Sequence, residues 1–360
     1  MKTRVVRGGA RGWVAAVALG VVAASLASPR AGVGSAADED AELLKEAQGL
    51  FKPIAAAKPD ASGGLVELGR KLFFDPRISA DGTVSCSRCH LATLYSTDGL
   101  AKSRGANNKP LARNAPTLFN TADQFAQHWD GVFDSVEAQA KKALTGAGFG
   151  NPSFDAAMTK LKGIAGYPPL FARTFPGEAD PVTPDNWAKA IGAFERTLVT
   201  PSRFDEYLGG KADALSADER KGLRTFIDTG CAECHEGAGL GGTGYRKFGV
   251  SSDYWLQTHS QEVDKGRFNL TKNPSDMYRF KVPQLRNAAM TPPYFHDGSV
   301  AALPEAVRVM AKVQLDTELS ADEAKSIATF LGSLTGEVPE HYAKAPVLPP
   351  GSFDPGPAPK

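Results

Sequence analysis

A chain of 360 residues that is 42% hydrophobic, 9% aromatic and 22% charged has ordinary globular composition. That excludes a disordered or fibrous protein and is enough for two or three cores at roughly 100–200 residues per domain. Forty-one Lys and Arg against 40 Asp and Glu leave a net charge of +1, so neither nucleic acid nor an anionic membrane surface has an electrostatic footprint to bind.

Residues 1–37 read as a secretory signal peptide. Lys2, Arg4, Arg7 and Arg11 precede an apolar run from Trp13 to Ala27, and small residues follow through Ser35-Ala36-Ala37. The run is shorter than the ~20 residues of a spanning helix, so cleavage near Ala36 or Ala37 and export to a bacterial periplasm are expected, with a permanent anchor as the alternative. Apolar residues spaced by three and four then predict helices at Ala41–Phe51 and Leu65–Phe74, and more weakly at Ser135–Leu144 and Phe154–Leu161. Thr183-Pro184 opens a helix through Leu198 with Pro at the first helical position. The string Leu-Ser-Ala-Asp-Glu occurs at 215–219 and 319–323, and each copy is a capping box that starts a helix. Ser96–Asn114 and Gly237–Phe268 have no period and read as long functional loops. Thr200-Pro201-Ser202 reads as a boundary, giving an N-terminal domain at 38–200, a C-terminal domain at 201–338 and a Pro-rich extended or mobile tail at 339–360.

All four cysteines fall in two copies of C-x-x-C-H, Cys86-Ser87-Arg88-Cys89-His90 and Cys231-Ala232-Glu233-Cys234-His235. This is the c-type haem attachment motif. Two thiols one helical turn apart reach the two vinyl groups of one porphyrin, and the adjoining His ligates the iron. The expectation is an all-α chain of two cytochrome-c-like domains with two covalent haems, His90 and His235 being the proximal ligands. Sixth-ligand candidates are His128, His259, His296 and His341, and Met158, Met277, Met290 and Met310. Met310 lies on a helix expected to start near Pro304, where a thioether can reach an iron or fill a core gap.

From about Gln48 to the end of the second haem domain, the chain resembles the bacterial dihaem cytochrome c peroxidases. The matching segments include ELGRKLFFDPRIS at 67–79, RNAPTLFN at 113–120, WDG at 129–131, EAQAK at 137–141, KGRF at 265–268 and LRNAAMTPPYFHDG at 285–298. The resemblance implies a peroxidatic N-terminal haem and a high-potential C-terminal haem with a His235/Met310 axial pair. It also implies Trp129 as an electron relay, and a calcium ion held by the Asn114 side chain and the carbonyls of Thr291 and Pro293, oxygen ligands of the kind calcium takes. Hydrogen peroxide would be the substrate, a small cytochrome c or cupredoxin the electron donor, and a homodimer the assembly to test.

The chain departs from the family where peroxide would react. The family's distal His is Ala106 here. Gln139 matches the family's Gln, but the catalytic Glu ten residues later is Phe149. The first iron is therefore expected to be five-coordinate or water-bound in every oxidation state. His128, just before WDG, stands where the family has Phe, and its readings are a general base, a sixth ligand or a bystander. Three functions follow: a dihaem peroxidase, a dihaem electron carrier or redox sensor with a decayed site, and a dihaem oxidase that modifies another protein's side chains.

Overall fold

Helix starts are set locally. Ser135, Ser153 and Thr183 accept hydrogen bonds from the amides of Ala138, Ala156 and Asn186 at 3.1–3.2 Å, satisfying donors that a helix leaves open at its first turn. Both expected capping boxes are formed, at Ser216 with Glu219 and at Ser320 with Glu323. In this computed structural model, which describes residues 36–54, 63–122 and 124–352, the main helices are Ala36–Leu50, Gly64–Phe74, Val136–Ala143, Phe154–Gly163, Tyr167–Thr174, Pro184–Glu195, Ala217–Asp228, Leu303–Leu315 and Ala321–Gly332. The expected signal peptide lies outside the described residues except for its last two positions. No helix among those residues is long and apolar enough to cross a membrane.

The helices bury their apolar faces in three clusters. Phe73, Phe119, Trp187 and Phe194 centre the first, Phe204, Leu223, Phe226 and Phe330 the second, and Phe248, Tyr254 and Phe280 the third. The first two repeat one device, a helix pair crossing at a glycine. Gly64–Phe74 packs on Pro184–Glu195, and Ala217–Asp228 packs on Ala321–Gly332. A Cβ on Gly69 would stand 1.8 Å from the Ala190 carbonyl oxygen, and one on Gly222 would stand 2.1 Å from that of Ser326. Only hydrogen fits at either crossing.

Two expectations are corrected by this packing. The chain is mostly helical but not purely so: Tyr245–Lys247 (β1) and Arg279–Lys281 (β2) pair antiparallel, with Arg246 opposite Phe280. β1 lies inside the 237–268 segment expected to be all loop. The chain ends also cross the expected boundaries. Leu43, Ala47 and Phe51, placed at 38–200, pack in the second cluster, whereas Tyr342, placed in the tail, is fully buried in the first. Apolar periodicity shows which face of a helix is buried, not which core buries it.

Gly69→Ala and Gly222→Ala should each cost about 1–3 kcal/mol through overpacking, read as a lower midpoint in denaturant unfolding. Unchanged midpoints would contradict these crossings.

Candidate haem sites

Cys86–Cys89 forms a single helical turn, and His90 follows as its C-terminal cap. The loop then folds back so that His90 Nδ1 lies 2.9 Å from the Ser96 carbonyl. In the second motif Cys231–Glu233 is a tight turn, and His235 Nδ1 lies 3.0 Å from the Leu240 carbonyl. A carbonyl only accepts, so each Nδ1 carries the ring proton and each Nε2 keeps a lone pair for a metal. Burial lowers the pKa of both imidazoles and so keeps the ligand form. All four cysteines are free thiols, and burial pushes Cys231 up to about 12 and Cys86 higher still. Unpaired thiols beside a tautomer-locked imidazole fit a thioether-linked haem at both motifs.

Between the motifs, the RN and WD segments interlock. Trp129 Nε1 donates to the Asn114 carbonyl at 3.0 Å, and Arg113 bridges Asp130 at 2.6 Å and Asp264 at 2.7 Å. Burial alone would raise Asp264, but Arg113, helped by the Gly266 amide and His296, holds the carboxylate low. The Asn114 amide donates to the His296 carbonyl at 2.8 Å. Trp129 packs against the third cluster, its ring centroid 6.3 Å from that of His296. Met310 packs there too, on the helix Leu303–Leu315, whose Leu303, Val307 and Ala311 meet the second cluster beside His235.

His128 occupies a left-handed turn (φ 68°), its ring edge-on to Phe133 at 5.0 Å. The side chain keeps accessible surface, yet burial lowers its pKa to about 4, with Arg113, His90 and Lys281 adding to the effect and Asp130 opposing it. That lowered pKa makes His128 a neutral imidazole at pH 7. Ala106 is buried, its amide donating to the Gly148 carbonyl at 2.8 Å. Phe149 packs edge-on to Trp187 in the first cluster. Gln139 lies half-buried on the helix Val136–Ala143.

Of the expected calcium ligands, Asn114 donates its side-chain amide to the Leu100 carbonyl at 2.8 Å, which leaves Oδ1 as the free end. Pro293 lines a cleft of about 350 Å³ with Thr97, Gly99 and Met290, and Thr291 adjoins it in sequence. Among the described residues no three His, Cys, Asp or Glu side chains cluster as a metal site, so a cation here would rely on neutral oxygens. Sequence reasoning missed Lys281, buried near His128, bonded to Gln124 and lowered to about 8 by burial. Its place between two apolar residues in the Phe280–Val282 run was the only signal.

Residues 64–213 match the model of the di-haem cytochrome c peroxidase family. A cytochrome c551 peroxidase of Pseudomonas aeruginosa is 40% identical over 85% of this chain and 90% of its own. The chain belongs to the dihaem cytochrome c peroxidase family. It is thus a dihaem peroxidase-like oxidoreductase, and membership implies two haems c. The methylamine utilization protein MauG of Methylorubrum extorquens is 32% identical over 90% of this chain and 94% of its own. A crystal structure of a MauG-like protein associated with microbial copper homeostasis superposes with a TM-score of 0.70 at 28% identity, covering 82% of this chain and 96% of that one.

Intact mass of the protein matured in a c-type cytochrome host should show two covalent haems, and Cys231→Ser with Cys234→Ser should lose one while the first motif keeps its own. A parent mass with a single haem would contradict the pairing of motifs with haems.

Proposed function

We propose that this family member is an exported, periplasmic peroxidase that reduces hydrogen peroxide to water, taking electrons from a small cytochrome c or a cupredoxin. The balance is one peroxide, two electrons and two protons giving two waters. Haem held by His90 would supply the metal position and redox equivalents that break the O–O bond. His235 and Met310 would hold the second haem, whose thioether ligand raises its potential and suits it to accept electrons from the donor. Trp129, whose indole bonds to the Asn114 carbonyl and packs on the cluster that Met310 also joins, would be the relay, and a calcium at Asn114, Thr291 and Pro293 would brace the RN segment that positions it.

The observation that carries the reading is His128. O–O cleavage needs a base to take a proton from one peroxide oxygen and return it to the other, a role that contributes roughly 10²–10⁴-fold. The family's Glu is Phe149 here, turned into the core, so that role falls to the neutral, accessible imidazole of His128, with the Gln139 amide as a candidate hydrogen-bond partner for peroxide. With Ala106 in place of a distal His, no side chain at that position has to leave the iron before peroxide binds. The similarity to MauG supports a second reading, in which the same open site oxidises residues of another protein, and steady-state peroxide turnover with a reduced c-type donor separates the two.

His128→Phe should lower the second-order rate with peroxide by about 10²-fold or more. Because the pKa of His128 is lowered, to about 4, the base is neutral above that value. The parent rate should therefore hold from pH 7 to 5 and fall as pH drops through about 4, rather than through the ordinary His value near 6.5. An equal rate in the variant would contradict the assignment.

A further inference from the structure

The segment 339–352 comes from the far end of the chain and lies along the helix Gly64–Phe74 and the turn after it, held chiefly by its backbone. Arg70 donates to the His341 and Lys344 carbonyls at 2.7 and 2.6 Å, and Lys71 to that of Val347 at 2.9 Å. Arg77 donates to the carbonyls of Pro349 at 2.9 Å and Gly351 at 2.7 Å. Bonds to carbonyls fix the path of the strap whatever its side chains, and the strap also delivers a large side chain that it buries completely.

That side chain is Tyr342, with no accessible surface. Its ring packs with Phe73, Phe74, Phe119 and Phe194 at centroid distances of 5.4–6.3 Å. Its hydroxyl leaves this apolar nest at one point. It donates to the main-chain carbonyl of His90 and lies 2.9 Å from Ser96 Oγ. A phenol has one proton, and His90 receives it, so the Ser96 hydroxyl donates to the tyrosine oxygen. Ser96 Oγ in turn accepts from the Leu118 amide at 3.3 Å. Ser96 is also the residue whose carbonyl accepts from His90 Nδ1 at 2.9 Å. One hydroxyl therefore grips both ends of the proximal hydrogen bond: the backbone that carries the donor and the residue that supplies the acceptor.

The acceptor needs holding. Tyr95 and Ser96 are consecutive residues with φ of 50° and 65°, a left-handed pair that non-glycine residues adopt at a cost and keep only when their surroundings impose it. At the second motif the acceptor is Leu240, whose side chain has no hydroxyl for such a grip. The two sites thus differ in this respect within the same molecule.

We propose that Tyr342 is a positioning residue for the first haem: by clamping Ser96 against His90, it sets the strength of the His90 Nδ1 hydrogen bond and hence the electron density that the imidazole gives to iron. This rests on His90 being the ligand of the first iron. A stronger Nδ1–H···O=C bond gives the ring more imidazolate character, which favours ferric iron and lowers the potential. Losing the clamp raises it.

The test uses the holoprotein and two variants. Tyr342→Phe keeps the ring and removes the hydroxyl, while Ser96→Ala removes the other hydroxyl, keeps the acceptor carbonyl and carries the test if the first variant fails to mature. Resonance Raman of the reduced protein reads the iron–histidine stretch of the first haem, and a redox titration reads both haems. In each variant the stretch should move to lower frequency and the first potential should rise, with the second potential unmoved. A stretch and potentials matching the parent would overturn the proposal, as would an equal shift of both haems, which marks general loosening. A parent protein lacking the band altogether has a first iron not held by a single imidazole, which removes the reading on which the proposal rests.

Discussion

A neutral imidazole has one N–H, and committing it to a backbone carbonyl decides which nitrogen is left for a metal. That constraint organises both halves of this protein. His90 gives its Nδ1 proton to Ser96 and His235 gives its own to Leu240, and each acceptor lies in a left-handed turn, at φ 65° and 49°. Loops in that conformation do not hold themselves. The first is held by the aromatic cluster through Tyr342, and the second lies against the second cluster, where Leu240 is fully buried. The helix pairs crossing at Gly69 and Gly222 give those clusters rigid walls. Burial thus serves chemistry as well as stability, since it also keeps both imidazoles uncharged.

The seam between the halves follows a second rule, that charges taken from water must be paired. Arg113 is shared by Asp130 and Asp264, which ties the RN segment to the WD turn on one side and to the third cluster on the other. Trp129 is carried along by that tie, its indole N–H fixed on Asn114. An aromatic side chain with its polar atom satisfied and its ring packed keeps one orientation, which suits the relay role proposed for it. His128 precedes it by one residue, so the same tie that orients Trp129 also orients the proposed base. On the proposed function, His at that point and Phe at position 149 move the proton-handling group from one segment of the chain to another.

What the sequence made legible was local. Two C-x-x-C-H motifs, two capping boxes, a Thr-Pro helix start and three-four apolar spacing each act within one or two turns of chain, and each is found where it was expected. The long matching segments placed the chain in its family for the same reason: they are contiguous. What was not legible depends on partners far apart in sequence. Phe51 packing with Phe204, Tyr342 reaching His90, and β1 pairing with β2 across more than thirty residues leave no periodic signature. Gly69 and Gly222 look like ordinary helical glycines until the crossing helix is present. Lys281 sits in a strand whose apolar neighbours hide it, and its significance comes from Gln124 and His128, which belong to another part of the chain. The departures at Ala106 and Phe149 were visible, but the structure was needed to show Phe149 against Trp187 and His128 edge-on to Phe133.

The central claim is an asymmetry: two haems attached alike, the first with an open iron beside a base and the second closed by Met310. Electron paramagnetic resonance of the fully oxidised protein, recorded without prior reduction, tests it most directly. The account predicts one high-spin and one low-spin ferric signal in equal amounts. Two low-spin signals of equal intensity would contradict it, because a side chain would then close the first iron and peroxide would have no place to bind.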